Sequence, residues 1–321
     1  MSKIGVCLVT FNEVEYISQA IDSVLSQKCS AEVIVYIGDD HSEDGTELIC
    51  KNYAELYPDR IVLIRQETNI GLVSNTQSLL ERINYDGCEY VAMLDGDDFW
   101  CDDLKLQKEV DYLEAHENYG LIHSGVKLLF PNGMTKTILK EEVPTGDVWK
   151  HIGKLSISNC TVMFRTSLLQ YCDFDAYKAN NFSSVDFTMY ASFARYAMFQ
   201  YLPEITAVWR RGHASISGGG KIDKQIRYID NDVNQWRYLS TIFPEKWQFT
   251  KQSGEQYKRN RGFIIAYKYG DFKYANEYVK AGVSLGNRGL KYKVMIFAAR
   301  YKPLFNLLYF VHWKKREPTI S

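Results

Sequence analysis

Three carboxylates stand close together in the segment Asp95-Gly96-Asp97-Asp98, which follows the apolar run 90–94. Clusters of oxygen ligands of this kind bind hard divalent cations such as Mg²⁺ or Mn²⁺. A cation held there would neutralise the charge of a departing diphosphate, which is one of the standard catalytic uses of a metal. The alternative is a solvated acidic turn, because Asp and Gly are both common in turns. Taken alone, the segment predicts either a cation site or such a turn.

A second acidic pair, Asp39-Asp40, follows Gly38 at the end of the apolar run 32–37. A carboxylate at the end of a strand can accept a hydrogen bond from the N3–H of a uracil or from the hydroxyls of a ribose. Ser42 and Asp44 fit equally well as N-caps of the helix that follows. That alternative applies less well to the pair before them, so the pair is a candidate nucleotide contact.

Two further candidates lie beyond residue 180. Asp186 has apolar neighbours, so an ionised carboxylate there serves either as a general base that deprotonates an alcohol or as the N-cap of a helix from about Phe187. The segment Trp209-Arg210-Arg211-Gly212-His213 supplies two guanidinium groups suited to a diphosphate and an imidazole able to bind a metal. A single His is more often structural or solvated than a ligand, so His213 alone decides nothing.

The elements that must position these residues alternate along the first hundred residues. Short apolar runs predict four strands, over 4–9, 32–37, 61–64 and 90–94. Apolar residues at helical spacing predict helices between them, over 14–27, 46–56 and 73–82. This alternation predicts right-handed βαβ units and a largely parallel sheet. Ligands bind at the carboxyl ends of such strands, which is where the acidic segments and the loop 10–13 lie.

The loop after the first strand argues against one common use of such a sheet. It reads Thr10-Phe11-Asn12-Glu13-Val14 and contains no glycine. A dinucleotide-dependent dehydrogenase needs glycines there so that the pyrophosphate can approach the helix N-terminus. That class of enzyme is therefore set aside.

The pattern and the charge both change along the rest of the chain. Between residues 100 and 217 the pattern predicts helices over 104–116 and 185–196 and strands over 120–130 and 207–210. After the loop Gly218-Gly219-Gly220 it predicts only helices, over 222–241, 254–268 and 272–285. Residues 1–220 contain 18 Lys and Arg against 31 Asp and Glu, whereas residues 221–321 contain 20 against 8. This split predicts two functional regions, of which the second faces an anionic partner.

Composition limits the class of protein. The 321 residues are 46% hydrophobic and 24% charged, as in ordinary folded proteins. The seven cysteines are an odd number without a CxxC pair, and no signal peptide precedes the first strand. These features predict a cytosolic protein with reduced thiols and argue against a metal site built on cysteine.

Taken in order, these segments resemble inverting glycosyltransferase family 2, whose GT-A fold is an α/β, Rossmann-like mixed sheet flanked by helices. The matching segments are Phe11-Asn12-Glu13, Ile21-Asp22-Ser23-Val24-Leu25-Ser26-Gln27, Asp39-Asp40-His41-Ser42-Glu43-Asp44-Gly45-Thr46, Asn69-Ile70-Gly71-Leu72, Asp95-Gly96-Asp97-Asp98, Val185-Asp186 and Arg210-Arg211-Gly212-His213-Ala214-Ser215-Ile216-Ser217. The resemblance implies a catalytic domain over 1–217, with a nucleotide half over 1–100 and an acceptor half over 101–217. A basic helical region over 221–321 follows it.

The resemblance also implies a single displacement with inversion at the anomeric carbon. Asp186 would deprotonate the acceptor hydroxyl as UDP leaves. Asp97 would hold Mn²⁺ or Mg²⁺ on the diphosphate with Asp95 and His213, Asp95 being shared with the ribose and Asp98 being structural. The implied contacts to the nucleotide sugar are Thr10, Phe11, Glu13, Asp40, Asn69, Asp95, Gly96 and Arg210. Base, metal and nucleotide pocket are the parts that such a reaction needs.

The sequence departs from the family pattern in three ways. Val185 stands where a Glu often precedes the base, and Val73-Ser74-Asn75 replaces a frequent Arg-Asn pair, so a phosphate contact is lost or supplied elsewhere. The QxxRW motif of the processive membrane synthases is missing, and no run of 18 apolar residues occurs. The resemblance therefore implies a non-processive enzyme that adds one sugar to each acceptor.

The C-terminal segment 279–316 contains nine Lys or Arg, no acidic residue and many aromatic residues. Such mixtures suit an interfacial helix on an anionic membrane, here over 288–316, and Pro303 is expected to split it in two. The alternative is a helix pair that packs its apolar face on the catalytic domain. Nucleic acid is not expected as a partner, because the acidic first region would repel phosphates and no RNA-binding motif occurs.

These inferences define the expected partners. The donor is expected to be a UDP-sugar, and the acceptor a glycan or lipid-linked oligosaccharide, as in O-antigen, capsule or other surface-polysaccharide synthesis. The protein is expected in the cytoplasm, with peripheral association to the inner face of the plasma membrane as a further expectation. The alternative is a non-catalytic nucleotide-sugar-binding or scaffold protein with a degenerate transferase domain, against which the acidic motif and Asp186 argue.

Overall fold

The computed structural model describes residues 2–139, 143–154, 157–211, 222–285 and 290–311. The chain divides into two compact units, Met1–Arg211 and Gly212–Ser321. The predicted boundary at Gly218-Gly219-Gly220 lies outside the described residues. We describe each unit by itself.

The first unit begins with the predicted alternation of strands and helices. Its first seven elements are β1 (Lys3–Thr10), α1 (Ile17–Leu25), β2 (Glu32–Asp39), α2 (Thr46–Leu56), β3 (Ile61–Arg65), α3 (Leu72–Tyr85) and β4 (Tyr90–Asp95). The four strands are parallel and lie in the order β3-β2-β1-β4. Val9 lies opposite Asp95, and Thr10 lies opposite Asp39, so the carboxyl ends of three strands meet at one edge of the sheet. The predicted α/β architecture is confirmed.

The rest of the first unit extends this sheet with antiparallel and parallel strands. Its elements are β5 (Phe99–Trp100), α4 (Lys105–Ala115), β6 (Tyr119–Leu129), β7 (Thr135–Ile138), β8 (Met163–Arg165), α5 (Phe174–Ala179), α6 (Asp186–Phe193) and β9 (Met198–Arg210). Three short 3₁₀ helices, Trp149–Lys154, Asn159–Thr161 and Thr166–Tyr171, lie between β7 and α5. The full order is β3-β2-β1-β4-β8-β6-β9-β5, with β7 paired to β6. The sheet is therefore mixed.

Strand β9 is longer than the strand predicted over 207–210. It pairs with β6 over its whole length, but the register shifts where Leu202 lies opposite Ser124 and Ile205 lies opposite Gly125. Pro203 falls in the resulting bulge, where its missing N–H removes no ladder hydrogen bond. The shift interrupts the simple alternation by which a strand is recognised in sequence.

The core of the first unit forms because each element buries its apolar side. In α1, the side chains of Ile17, Ala20, Ile21 and Val24 recur at helical spacing and are fully buried. Each large aliphatic side chain buried in this way contributes about 1.5–3 kcal/mol. Strands β1, β2 and β4 are almost continuously apolar, as expected for parallel strands covered on both faces.

The second unit is helical in its described part. It consists of α7 (Ile222–Ile242), α8 (Lys251–Lys268), α9 (Phe272–Lys280), α10 (Leu290–Ala298) and α11 (Lys302–Tyr309). Gly270 adopts φ +67° between α8 and α9, and Asp271 caps α9 by accepting the Tyr274 N–H at 3.0 Å. The predicted break between these helices is thereby explained.

The last two helices pack on α8 and α9. Phe305 of α11 is fully buried, and its ring centroid lies 4.7 Å from that of Tyr267 and 5.6 Å from that of Phe272. Met295 and Ala299 belong to the same cluster. Pro303 lies in the first turn of α11, where its missing N–H is tolerated. Within the described ranges, every helix is too short or too polar to cross a bilayer.

Candidate active site

The carboxyl ends of β1, β2 and β4 bring predicted site residues together. The Thr10 hydroxyl donates to Glu13 Oε2 at 2.8 Å. The Gly96 N–H donates to the Val9 carbonyl at 2.9 Å, and the Asp40 N–H donates to the Thr10 carbonyl at 3.0 Å. The loop after β1 is thus tied to both acidic segments.

Glycine is required at position 96 by this close approach. A Cβ atom there would lie 2.8 Å from Thr10 Oγ1 and would collide with the Glu13 carboxylate. The Asp98 N–H donates to the Asp95 carbonyl at 3.0 Å, so the segment forms a turn. Asp97 and Asp98 are only 7% and 2% exposed, which contradicts the alternative of a solvated acidic turn.

Burial and the charge of Asp97 raise the pKa of three neighbouring carboxyl groups. Burial, followed by the charge of Asp97, raises the pKa of Asp95 to about 7. The same two causes raise the pKa of Glu13 and that of Asp98 well above the ordinary carboxyl range. Like charges that are close and desolvated disfavour joint ionisation. The turn is therefore a concentrated source of negative potential.

Arg210, at the end of β9, fixes this turn from the other side. Its N–H donates to Asp98 Oδ1 at 2.8 Å, and its guanidinium donates to the Asp97 carbonyl at 2.6 Å. The guanidinium also lies 4.7 Å from the centroid of the Phe99 ring and 4.9 Å from that of Tyr16. These contacts give Asp98 a structural role and place Arg210 beside the predicted diphosphate site.

A divalent cation fits this turn on the chemistry of its donors. Asp95 and Asp97 supply carboxylate oxygens, whereas the third predicted ligand, His213, lies outside the described residues. In the part of the chain that the structure describes, no three His, Cys, Asp or Glu side chains converge as a complete cation site. Mg²⁺ is commonly held by one or two carboxylates, with substrate phosphates and water completing its shell. The two carboxylates therefore fit a cation that binds together with a diphosphate.

Asp186 lies at the start of α6. It is the first residue of α6, and Val185 is the N-cap, so the alternative role of Asp186 as the N-cap is wrong. Burial raises the pKa of Asp186, although hydrogen bonds from the Phe187 N–H and from Ser184 act in the opposite direction. The charge of Asp186 also contributes, as the smallest of the causes, to the raised pKa of Asp95.

Two side chains outside every predicted site motif connect Asp95 to α6. Asn159 Nδ2 lies 3.2 Å from both carboxylate oxygens of Asp95, and the Tyr190 hydroxyl donates to Asn159 Oδ1 at 2.6 Å. Tyr190 is buried and follows Asp186 by one helical turn. Neither residue belongs to a recognisable motif, because their contacts join segments far apart in the chain.

Asp40 holds the loop 69–71 at the end of β2. Its carboxylate accepts the N–H groups of Ile70 and Gly71 at 2.8 and 2.9 Å, and Asn69 Nδ2 donates to the Asp40 carbonyl at 3.2 Å. Burial raises the pKa of Asp40, and the two backbone donors oppose that effect. Phe11 is 44% exposed at the neighbouring strand end. The structure therefore places Phe11, Asp40 and Asn69 around one edge, while their contacts to a nucleotide stay a prediction.

Beside Asp40, the segment after β2 is locked to the loop after β1. The Ser42 hydroxyl donates to Asp39 and accepts the Asn12 N–H at 2.9 Å. The Glu13 N–H donates to Thr46 Oγ1 at 2.8 Å. Ser42 and Asp44 are not N-caps, because Gly45 holds that position in α2.

Comparison with known families gives one match over half of the chain. Residues 5–170 match the family described as Glycosyl transferase family 2. This range contains β1 to β4 and the acidic turn.

Curated relatives share part of this region. A Mycobacterium tuberculosis protein described as uncharacterized is 30% identical over 210 residues, which are 63% of this chain and 57% of that protein. The dTDP-rhamnosyl transferase RfbG of Shigella flexneri is 24% identical over 69% of this chain and 76% of its own length. The minor teichoic acid biosynthesis protein GgaB of Bacillus subtilis is 29% identical over 36% of this chain and 12% of its own. The chain thus spans little more than half of the first relative.

Solved structures share the fold at low sequence identity. S. aureus TarS 1-349 in complex with UDP-GlcNAc is 16% identical, with 97% of this chain and 92% of that chain covered and a TM-score of 0.56. The mannosyltransferase PcManGT from Pyrobaculum calidifontis, in complex with GDP-Man and Mn²⁺, is 14% identical, with 98% and 88% covered and a TM-score of 0.55. At these identities the likeness concerns the fold alone.

Proposed function

Because the chain belongs to glycosyl transferase family 2, we propose that it moves a single sugar from a UDP-sugar to a hydroxyl of an acceptor, with inversion at the anomeric carbon. One observation carries the proposal: hydrogen bonds through Asn159 and Tyr190 join Asp95 of the acidic turn to α6, the helix that begins with Asp186. An electrophilic donor bound at the turn would face a base on the neighbouring helix. That arrangement supplies the proximity that a direct displacement needs.

Asp186 is the proposed general base. Its carboxylate accepts the proton of the acceptor hydroxyl while the hydroxyl oxygen attacks the anomeric carbon and the bond to the diphosphate breaks. A raised pKa makes a carboxylate a stronger proton acceptor, and burial is the cause of the raised pKa here. The position at the first turn of α6 favours the ionised form, because the helix N-terminus carries partial positive charge.

Asp97 and Asp95 are the proposed ligands of a divalent cation, Mn²⁺ or Mg²⁺, and His213 is the proposed third ligand. A bound cation would neutralise charge on the leaving diphosphate. The raised pKa of Asp95 supports the assignment, since burial and the charge of Asp97 cause it and a bound cation would offset both effects. Arg210 holds the turn in place and would lie beside a diphosphate bound there.

The uridine and ribose are proposed to lie along the edge formed by β1 and β2. The residues assigned to the nucleotide sugar are Thr10, Phe11, Glu13, Asp40, Asn69, Asp95, Gly96 and Arg210. The exposed Phe11 ring offers a face for the uracil. Asp40 would act partly through the loop 69–71 that its carboxylate holds.

The acceptor is proposed to be a glycan or a lipid-linked oligosaccharide in surface-polysaccharide synthesis, such as O-antigen or capsule, in the cytoplasm. The similarity to RfbG, a dTDP-rhamnosyl transferase, and to GgaB, a teichoic acid biosynthesis protein, supports this class of acceptor. The alternative is a binding or scaffold protein with a degenerate transferase domain. A protein that binds UDP but never cleaves a UDP-sugar to form UDP would favour that alternative.

The test measures release of nucleoside diphosphate from UDP-sugars, GDP-mannose and dTDP-rhamnose with Mn²⁺, with and without a glycan acceptor. Asp186→Asn should lower transfer by about 10²–10⁴-fold and leave UDP binding intact, because only proton removal is lost. Asp97→Ala should weaken metal-dependent donor binding. Asp175→Asn, a change at an exposed carboxylate of α5, is the matched control. Near-normal turnover of Asp186→Asn would show that the base is assigned wrongly.

A further inference from the structure

Helix α10 is apolar on two sides. Met295, Ala298 and Ala299 point into the core of the second unit and are almost completely buried. Leu290, Val294 and Phe297 recur at helical spacing on another side and are 76%, 41% and 54% exposed. A helix that only packs on its own unit would present polar residues on its outer side. The outer side of α10 is therefore built to contact something apolar.

Further exposed apolar side chains follow along the chain. Tyr301 is 55% exposed, and its ring centroid lies 5.6 Å from that of Phe297. Leu307 of α11, and Phe310 and Val311 directly after it, are 60%, 53% and 46% exposed. We call these seven side chains the outer apolar face. Exposed apolar surface of this extent marks an interaction site.

The residues around the outer apolar face are basic. Lys291 and Lys293 are exposed, and at 100° per residue they flank the row of Leu290, Val294 and Phe297 on its two sides. Arg300 and Lys302 are exposed at the turn between the helices. The segment 290–311 contains no Asp or Glu. Long basic side chains beside an apolar row can extend toward anionic groups while their stems lie along apolar material.

We infer that the outer apolar face docks on an anionic lipid bilayer, with its apolar side chains at the level of the acyl boundary and its Lys and Arg side chains among the headgroups. An apolar row flanked by cations on both sides matches an interface that is apolar inside and negatively charged at its surface. A second copy of this chain would instead bring the same cations against one another. The inference concerns the second unit alone and does not depend on the proposed transferase chemistry.

The test is co-sedimentation of the full chain with vesicles of phosphatidylcholine alone or with phosphatidylglycerol added. Binding to the anionic vesicles is expected, weakened by salt because the Debye length is only about 10 Å at 0.1 M. Each basic side chain at a membrane surface contributes about 1 kcal/mol, or roughly fivefold, so Lys291→Gln with Lys293→Gln should lower partitioning about 25-fold. Leu290→Ser with Phe297→Ser should lower partitioning to both compositions.

Helix α2 provides matched controls. Leu48 and Leu56 are 62% and 68% exposed, and Lys51 lies exposed between them. Leu48→Ser with Leu56→Ser, and Lys51→Gln, should leave partitioning unchanged. Three outcomes would overturn the inference. One is equal binding to both vesicle types, and another is an equal loss of partitioning in the α2 control variants. The third is a protein that does not bind vesicles but forms a dimer, which Phe297→Ser dissociates. Release of nucleoside diphosphate in solution is measured for the same variants. It tests the proposed transferase activity separately from membrane binding.

Discussion

At the residue scale, the carboxylates of the acidic turn explain why the site is suited to a cation. Glu13, Asp95 and Asp98 owe their raised pKa values to burial and to the charge of Asp97. Arg210 lies beside them and holds the backbone of the turn. Ionising all these groups together costs free energy, and a divalent cation would offset that cost. The turn trades stability for affinity toward a cation.

The hydrogen bond from Asn159 should set the pH range in which Asp95 can act. It stabilises the ionised form of Asp95 and so opposes the rise of the pKa to about 7. Below that pH the carboxyl is protonated, so Mn²⁺-dependent UDP binding should weaken as the pH falls. Asn159→Ala should move the midpoint upward by about one pH unit, since a hydrogen bond to a charged group contributes about 1.5–3 kcal/mol and 1.36 kcal/mol corresponds to about one unit.

The measurement is Mn²⁺-dependent UDP affinity between about pH 5.5 and 8.5, a window chosen around the pKa of about 7. Tyr190→Phe is the control, because it removes the donor to Asn159 and leaves the contact between Asn159 and Asp95 in place. A smaller upward shift is expected for that variant. If Asn159→Ala lowers affinity equally at every pH, Asn159 acts by packing rather than through the ionisation of Asp95.

At the element scale, the sequence predicted those parts whose pattern is local. Strands β1, β2 and β4 are continuous apolar runs, and each was placed to within two residues. Strands β5 and β8 have two and three residues, too few for any periodicity to appear. Their formation depends on β9 and β4, to which they pair. Helix α5 likewise has only six residues.

The same distinction holds for the site. Thr10, Asp40 and Asp95 were predicted because strand ends in a parallel sheet share one edge. Asn159 lies in a three-residue 3₁₀ helix, and its partners belong to β4 and α6. Only the folded chain brings these segments together, so no spacing in the sequence could reveal the contact.

Helix α4 contains a buried ion pair that lies beside Trp100 of β5. Lys105 and Glu109 are fully buried, with Nζ and Oε2 2.5 Å apart and Nζ 4.6 Å from the centroid of the Trp100 ring. Burial raises the pKa of Glu109 to about 7, and Lys105 opposes the rise. Among the described atoms, Glu109 Oε1 lacks a hydrogen-bond partner. The pair is therefore sensitive to the loss of either charge.

Lys105→Met should lower the free energy of unfolding by about 3–5 kcal/mol at pH 8, because it leaves a buried carboxylate unpaired. The loss should shrink as the pH falls toward about 7, because removing Lys105 raises the pKa of Glu109 further and the carboxyl of the variant is protonated before that of the unchanged protein. Lys105→Met with Glu109→Met should restore much of the stability at pH 8, since no charge stays buried. Urea denaturation measures all three proteins. The exposed pair Lys178 and Asp175 is the control, and Lys178→Met should cost less than about 1 kcal/mol.

At the scale of the whole molecule, the net charge of −1 conceals two opposite units. The first unit carries the acidic excess and the candidate site, and the second carries the basic excess and the outer apolar face. A positively charged surface attracts anionic partners, whereas the acidic turn would admit a diphosphate only together with a cation. The two units are thus suited to different ligands.

Binding of a nucleotide at the donor site should slow hydrogen exchange in the first unit and not in the second. UDP with Mn²⁺ at about 100 times its Kd stabilises the unit that binds it by about 2.7 kcal/mol, so the global opening of that unit should slow by up to about 100-fold. Protection should concentrate in the segments 10–13, 39–46, 69–71 and 95–98, where the strand ends meet. Amides of α8 should exchange at an unchanged rate. Mass spectrometry of peptides reports each segment, with UDP and a chelator as the control. Equal protection of α8 would show that the two units open together. Protection confined to α8 would show that the nucleotide binds the second unit and would contradict the proposed site.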